Sequence, residues 1–418
     1  MKHFLLLTIF HFFILTACLS QDTIQKTKFI KRLPADTSQA VMNLDAVYNR
    51  PFLQFGKIPV ALGGYAEMKG QYMVTDGVSD GFSFHFQRLT LFVSSTIHRR
   101  IKFLTEIEFE DGTKEINIEF ASIDIEFHPL CVLRAGIIMN PIGAFNQNHD
   151  GPRWDFTDRP ISATRLLPAT FSNVGAGFYG KGYVGSWSFG YEAYLTNGFD
   201  DRIIGNSENR TSLAATKDNI HRFEESNNGI PLLTAKIAIK NRNIGELGFS
   251  YMGGVYNTFR KDGLRLDARR RVDVAAVDFS TVLPKIKTRI NTEWAFVFVD
   301  VPDTYTQQFG EQQHGGYLDI VQPVYTVKMR KRKRPGDFVN SVFSVGCRLE
   351  YIDWNKGTFS QTGSNIADDV FAVVPAFSWR PGGQTVLRIN YRYEWQRDLL
   401  GNPPSRTGGF QAGISSYF

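Results

Sequence analysis

The sequence predicts an all-β fold, a 16-stranded antiparallel transmembrane β-barrel with short periplasmic turns and long outer loops. The first observation is strict alternation near the end of the chain, where Leu387, Ile389 and Tyr391 lie on one face and Arg388 and Arg392 on the other. A period of two indicates a strand. The second is that no run of about 18 apolar residues follows the N-terminus, so only strands could cross a membrane. The third is that short turns and long connections between the strands sort to opposite ends of the predicted barrel.

Strand-length segments recur from Ala61 to the last residue. Most have about 9 to 14 residues, which is enough for a tilted strand to cross a bilayer. Their number is even, as in bacterial barrels. In the segment 117–127 the apolar face shifts near Ala121, which predicts a β-bulge. The predicted strands are residues 61–73, 84–96, 101–110, 117–127, 131–139, 175–183, 187–198, 232–240, 244–256, 272–282, 286–299, 317–330, 338–354, 370–379, 385–397 and 409–418.

The connections between these segments fall into two classes. Counting back from the C-terminus places every short turn at the periplasmic end and every long connection at the outer end, as in membrane barrels. A soluble β-sandwich, the alternative for any single alternating strand, gives no reason for this sorting. The long connections are 140–174, 199–231, 257–271, 300–316, 355–369 and 398–408.

The N-terminal part divides into two segments before the barrel. Residues 1–20 have a basic start and an apolar run from Phe4 to Leu15, which indicates a secretory signal peptide. Cleavage near Ser20 is favoured, although the residues up to Cys18 also fit a lipidation motif. Residues 21–60 lack alternation and are interpreted as an N-terminal periplasmic segment. Within it, residues 48–52 could plug the barrel, but a linker is favoured. Residues 61–418 form the barrel.

The charge balance and the cysteines argue against several functions. There are 47 basic and 41 acidic residues, and so small an excess does not predict nucleic-acid binding. Cys131 and Cys347 lie far apart in strand order and match neither a zinc-binding nor a disulfide pattern. We expect two free thiols that face lipid, no metal ion and no cofactor.

The lumen-facing positions are the candidate pore lining. An acidic wall opposite a basic wall would make a transverse field that orients dipolar solutes and ions. The alternative is that the charges only keep a water-filled lumen soluble. The acidic positions are Glu106, Glu108, Glu119, Asp124 and Glu126, and the basic positions are Arg289, Lys328, Arg330, Arg348, Arg388 and Arg392, with Glu293, Glu350 and Glu394 among them.

The connection 140–174 combines aromatic residues with charges of both signs. Trp154 and Phe156 stand close to Arg153, Arg159 and Arg165. Such a segment should fold against a surface, and the barrel interior is the available one. We expect an inward constriction loop whose arginines set selectivity. The alternative is an external loop that packs on its neighbours.

Several stretches carry a resemblance to a known family. The run from Arg134 to Gly143, the run from Gly175 to Lys181 and the final alternating strand that ends on Phe418 resemble the phosphate-selective porin O/P family, in its divergent Bacteroidetes-type form. The resemblance implies an outer-membrane location in a Gram-negative bacterium, a homotrimer and uptake of anions such as phosphate. A terminal Phe418 is similar to the signal that the barrel assembly machinery reads.

The function that the sequence favours is passive diffusion of small hydrophilic solutes or ions, with outer-membrane lipid as the surrounding partner. An outer-membrane lipase or protease is the alternative from another class. Such chemistry needs a nucleophile, a base and an orienting group on one wall. Ser83 and His85 share a strand face, but the histidines are too scattered to assign a catalytic group, so we expect no enzyme. A structural or secretion-associated barrel is the third possibility.

Overall fold

The structure, a computed structural model, describes residues 30–33, 41–112, 114–208, 210–302, 310–328, 340–359 and 362–418. The predicted signal peptide, Cys18 and Arg330 lie outside the described residues, and so does the side chain of Lys328.

Sixteen strands form the barrel, and each of the sixteen predicted strands corresponds to one of them. The alternation therefore located every strand, with differences only at the ends. The strands are β1 (Val60–Thr75), β2 (Val78–His98), β3 (Ile101–Glu110), β4 (Glu115–His128), β5 (Cys131–Met139), β6 (Ser172–Val184), β7 (Trp187–Thr196), β8 (Leu232–Asn241), β9 (Gly245–Val255), β10 (Arg271–Val282), β11 (Arg289–Val299), β12 (Gln312–Lys328), β13 (Asn340–Asp353), β14 (Asp369–Gly382), β15 (Thr385–Gln396) and β16 (Ser405–Tyr417).

The strands pair antiparallel with their sequence neighbours, and β16 pairs with β1 from Thr407↔Thr75 to Tyr417↔Tyr65. That last pairing closes the sheet into a barrel, which leaves no free edge. The register between β3 and β4 shifts after Glu106↔Phe120, so that Ile107 pairs with Ile118. This irregularity confirms the predicted bulge.

The two faces of the sheet differ in polarity as the alternation predicts. Along β7 exposed and buried residues alternate from end to end: Phe189 and Tyr191 are exposed, whereas Ser188 and Glu192 are buried. Exposed apolar side chains recur on other strands, and they form the outer surface because the inner positions are polar. Cys131 and Cys347 are free thiols, as expected, and both are half-buried.

Connections of different length alternate around the barrel. Turns 99–100, 129–130, 185–186, 242–244 and 383–384 lie at one end, and connections 140–171, 197–231, 256–270, 354–368 and 397–404 lie at the other. The predicted sorting holds for these long connections, whereas the predicted connection 300–316 lies partly outside the described residues. The expectation that every short turn lies at the other end is wrong, because the tight hairpins that join β1 to β2 and β3 to β4 lie at the long-loop end.

The remaining elements are short. No helix among the described residues is long and apolar enough to span a membrane. The short strands are Ile30–Leu33, Phe52–Phe55, Arg260–Lys261 and Leu264–Arg265, the 3-10 helices are Asn43–Asp45, Gly151–Arg153, Asp201–Ile203 and Ala214–Asp218, and a π-helical turn covers Ser162–Leu166.

Candidate pore and the loop inside it

The connection 140–171 enters the barrel. Its apolar side chains are buried, among them Phe145 and Phe156, which are 1% and 2% exposed. The rings of Phe145 and Trp154 contact each other at an angle of 35°, with centroids 4.8 Å apart, and both contact Tyr317 of β12. An external loop could not bury these rings against the lumen wall, so the prediction that this segment folds inward is confirmed. We call residues 140–171 the lumenal loop.

Polar groups of the wall hold the first part of the lumenal loop by its backbone. The carboxylate of Glu293 accepts hydrogen bonds from the amides of Ala144 and Phe145 at 2.7 and 2.9 Å. Lys236 Nζ donates to the carbonyl oxygen of Gly143 at 2.6 Å and pairs with Asp278 at 2.6 Å. Because buried backbone groups need partners, these side chains stabilise the loop in place of a sheet ladder.

Three wall arginines hold the second part in the same way. Arg388 donates to the carbonyls of Gly151 and Trp154 at 3.0 and 3.1 Å. Arg380 donates to the carbonyl of Pro152 at 2.7 Å, and Arg348 to that of Asp158 at 2.7 Å. Guanidinium groups suit this role because each presents several donors in one plane.

The N-terminal residues 41–50 also lie inside the barrel, where we call them the N-terminal segment. The amide of Asn43 donates to Glu246 of β9, and the Tyr48 hydroxyl donates to Asp124 of β4, at 2.9 and 2.7 Å. Arg153 of the lumenal loop donates to the carbonyls of Ala46 and Asn49 at 2.9 and 2.7 Å. The preference for a linker at residues 48–52 is therefore wrong, because these residues are bonded to the wall and to the loop.

Arg50 stands at the centre of these contacts. It donates to both oxygens of Asp150, at 2.9 and 2.6 Å, and pairs with Glu106 at 2.8 Å. Burial alone would raise the pKa of Asp150, but Arg50 and Arg153 outweigh it and hold this pKa at about 2. Tyr417 on β16 donates to Asp150 as well, at 2.6 Å. Glu106, His149 and Asp150 bring ligand atoms within 4.8 Å of one another, yet Arg50 already neutralises both carboxylates.

The predicted selectivity residues differ in exposure. The side chain of Arg165 is 50% exposed, that of Arg289 30% and that of Arg153 23%. The side chains of Arg159, Arg348, Arg388, Arg392, Glu106 and Glu108 are 14% exposed or less. The exposed members can meet a solute, whereas the buried members hold the loop or pair with the wall.

Most lumenal charges are paired with a neighbour of opposite sign. On the acid-rich side Arg134 binds both oxygens of Asp124 at 2.9 Å, and Arg88 lies 3.5 Å from Glu108. On the arginine-rich side Arg348 pairs with Asp319 at 2.6 Å, and Arg392 pairs with Glu350 and Glu394 at 2.8 and 2.7 Å. The acid-rich side and the arginine-rich side are distinct parts of the wall, but local pairing cancels much of the expected transverse field.

Two open spaces lie on either side of the lumenal loop residues. A cavity of about 520 Å³ is lined by Arg165, Arg210 and Trp354, together with residues of the connection 197–231. A smaller cavity of about 160 Å³ is lined by Asp155 and Arg289 among others. Arg289 pairs with Asp155 at 2.7 Å, and Arg380 pairs with the same carboxylate at 3.1 Å. The two arginines hold the pKa of Asp155 at about 2 although burial opposes this.

The side chains considered for hydrolysis do not form a catalytic group. Ser83 Oγ lies 2.9 Å from His85 Nε2, with no carboxylate bonded to the ring in the described part of the chain. The sequence also contains a Gly-x-Ser-x-Gly run at residues 77–81, but it runs from the turn before β2 into the start of that strand, where Ser79 accepts a hydrogen bond from the amide of Gly81. A nucleophile elbow would instead lead from a strand into a helix.

Sequence reasoning missed the anchors Arg50, Arg380 and Lys236. The alternation of β8 and β14 places Lys236 and Arg380 on the inner face of the barrel, so this signal could have identified them. Arg50 had no such signal, because the segment that contains it does not alternate.

Comparisons with known proteins agree with the architecture. The chain is similar to a solved anion-selective porin from Comamonas acidovorans, with a TM-score of 0.52 and 12% identity, over 86% of this chain and 99% of that one. It is also similar to Salmonella typhi OmpF in complex with daunomycin, with a TM-score of 0.50 and 10% identity, over 86% and 98%. At these identities the likeness shows the fold.

Sequence comparison adds less. No family model matches the chain. A stretch of 146 residues is 32% identical to an uncharacterized protein of Aquifex aeolicus (strain VF5), and the match spans 33% of this chain and 32% of that protein. The chain thus spans about a third of the length of this relative.

The location of the protein follows from the barrel. A closed ring of sixteen antiparallel strands with an apolar outer face satisfies every strand edge within the sheet and presents lipid-compatible side chains outward. The chain is a protein of the outer membrane of a Gram-negative bacterium.

Proposed function

We propose that the chain is an outer-membrane porin through which small hydrophilic solutes or ions diffuse passively, with a preference for anions such as phosphate. The observation that carries the proposal is the lumenal loop. Anchored by buried wall side chains, it narrows the barrel, while Arg165 is exposed and Arg289 is half-buried beside the two cavities. A narrowed aqueous path with exposed guanidinium groups favours anions over cations.

The N-terminal segment belongs to the same constriction in this proposal. Lys240 donates to the carbonyl of Val41, and Lys181 pairs with Asp45 at 2.5 Å, so the segment is held by the wall near two cationic side chains. The lumenal loop and the N-terminal segment therefore both narrow the barrel. The domain assignment that accompanies the proposal is a signal peptide at 1–20, an N-terminal periplasmic region at 21–60, of which residues 41–50 enter the barrel, and a barrel at 61–418.

Membership of the phosphate-selective porin O/P family and assembly into a homotrimer are parts of the same proposal. Phe418 would serve as the signal for the barrel assembly machinery. The residue is 44% exposed at the end of β16, and its amide donates to the carbonyl of Gly64 at 3.1 Å. A ring at that position is accessible from the lipid side.

Planar bilayers provide the decisive experiment. The full-length mature protein should give stable ohmic steps, and deletion of residues 148–166 should increase the conductance of each step because it removes the second part of the lumenal loop from the barrel. A deletion that left the conductance unchanged would contradict the constriction role. A barrel that gave no steps would contradict the porin proposal as a whole.

Ion preference is tested separately by the reversal potential in a salt gradient, first with chloride and then with phosphate. Arg165→Glu and Arg289→Glu should shift the reversal potential toward cation preference, because each reverses a positive charge beside a cavity. Arg242→Glu, on an exposed turn at the opposite end from the long loops, is the matched control and should change it little. Equal shifts in all three variants would sink the assignment.

A further inference from the structure

A small cavity between the lumenal loop and the barrel wall is lined by side chains that carry unpaired nitrogen donors. It measures about 20 Å³ and is lined by Arg88, Arg159, Arg388, Gln87, Glu67 and Asp158, among others. That volume is above the roughly 10–15 Å³ that a single water needs. The cavity is therefore large enough for one water or one small ion.

Three guanidinium groups at this cavity have buried nitrogens without a hydrogen-bond acceptor among the described residues. They are Nε of Arg388, Nε of Arg88, and both Nε and Nη2 of Arg159. Arg388 and Arg88 are 2% and 8% exposed as whole residues. A buried donor that has lost water without gaining a partner is costly, and here several such donors surround one space.

The carboxylates that line the cavity already have partners. Glu67 accepts from Nη2 of Arg388, and its other oxygen lies 3.1 Å from Nε of Arg88 without the alignment of a hydrogen bond. Asp158 accepts from Lys69 at 2.7 Å and from Gln411 at 2.5 Å. These contacts leave the unpaired nitrogens of Arg88, Arg159 and Arg388 without an acceptor.

Two further carboxylates stand behind the arginines without lining the cavity. Glu108 lies 3.5 Å from Arg88 and 3.7 Å from Arg159, and Glu110 lies 3.8 Å from Arg88. They balance part of the positive charge, but the distance to Arg159 exceeds that of a hydrogen bond. Of the three guanidinium groups, Arg159 therefore has the positive charge that nearby carboxylates balance least.

We propose that this cavity binds a small monovalent anion, of the size of chloride, which is held by Arg88, Arg159 and Arg388. An anion accepts hydrogen bonds from all three groups, whereas a water accepts about two and must place its own protons on acceptors. His149 Nε2 and the Gln87 amide oxygen Oε1 also line the cavity and lack a hydrogen-bond partner in the described chain. A half-turn of that amide would present its NH₂ group to the anion instead.

The site lies where it can fasten the lumenal loop. Arg159 belongs to the loop, whereas Arg88 belongs to β2 and Arg388 to β15. An anion between them joins the loop to two strands on either side of the β16–β1 closure. The role is structural and holds whether or not the barrel conducts solutes.

Bromide replaces chloride in the test because its anomalous scattering identifies it directly. Crystals of the full-length mature protein grown in sodium bromide should show an anomalous peak between Arg159 and Arg388. The peak should be lost in Arg159→Gln and kept in Arg242→Gln, which removes one exposed charge at a turn. A water-filled cavity without an anomalous peak would overturn the proposal, and so would a peak that persisted unchanged in Arg159→Gln.

A solution measurement covers the case in which a variant does not crystallise. The unfolding midpoint of the wild-type protein in detergent should rise with the logarithm of the chloride concentration, at ionic strength kept constant with gluconate, because an ion that binds only the folded state stabilises it. The slope should disappear in Arg159→Gln and remain in Arg242→Gln. A midpoint of the wild-type protein that did not depend on chloride would overturn the proposal.

Discussion

Arg50 donates hydrogen bonds to both carboxylate oxygens of Asp150, at 2.9 and 2.6 Å, across 100 residues of sequence. The pair fastens the N-terminal segment to the lumenal loop in the barrel interior. Both side chains are buried, at 0% and 1% exposure, so water cannot replace either partner.

Removal of Arg50 should release this contact. Arg50→Gln leaves Asp150 and Glu106 buried without their counter-charge, and breaking a buried pair from one side costs about 3–5 kcal/mol. We expect a lower unfolding temperature in detergent and larger current fluctuations in bilayers. Lys57→Gln, in an exposed part of the N-terminal region, should change neither quantity. An Arg50→Gln protein with the unfolding temperature and the current fluctuations of the wild type would contradict the anchoring role.

Gly143 should tolerate no side chain, because a Cβ there would lie 2.3 Å from the Glu293 carboxyl, which holds the loop backbone. The φ of Gly143 is +65°, and that of Gly185 is +59° with nothing within 4 Å of a Cβ. Alanine should cost about 1–2 kcal/mol at either position from the left-handed backbone, and about 1–3 kcal/mol more at Gly143 from the clash. Thermal unfolding followed by circular dichroism measures both. Equal losses would contradict the steric argument.

Acid should loosen the lumenal loop through Asp155. Its pKa in the folded protein is about 2, below the usual value of about 3.9. A lowered pKa contributes stability that is complete above the unfolded value and is lost as the pH falls toward the folded value. Cleavage by pepsin within residues 140–171, mapped by mass spectrometry, should therefore increase steeply from about pH 4 to about pH 2.

Asp155→Asn should flatten that profile, because the asparagine cannot gain a proton and the contacts to Arg289 and Arg380 are already weakened. Asp80→Asn, at the exposed start of β2, is the control and should keep the wild-type profile. If Asp155→Asn kept it as well, other carboxylates would govern the acid response.

Phe418→Asp should reduce assembly more than conductance. The ring is 44% exposed at the end of the last strand, and a charge on the lipid-facing surface is unfavourable. The amount of protein in outer-membrane fractions should fall, while the channels that do form should conduct normally. Leu400→Asp, on a loop where Leu400 is 76% exposed, should leave the amount unchanged. Normal outer-membrane levels of Phe418→Asp would contradict the assembly role.

The barrel wall could be predicted from the sequence because the alternation within each strand shows which residues face outward and which face inward. In β15, Leu387 and Ile389 face out while Arg388 and Asn390 are buried inside, and this requires no knowledge of other strands. The pairing of those inward charges was not predictable. Arg388 meets Glu67 across the closure of the barrel, 321 residues away, and which groups meet depends on the course of a loop that has no repeating pattern.

The contact between Tyr417 and Asp150 has a consequence for the order of assembly. Tyr417 lies next to the last residue of the chain and donates to Asp150 at 2.6 Å, while its own strand closes the sheet against β1. The same residue thus joins the seam and the contents of the lumen. A chain that lacks its final two residues would lose contacts both in the β16–β1 pairing and to the lumenal loop. Closure of the barrel and docking of the loop inside it therefore occur together, late in assembly.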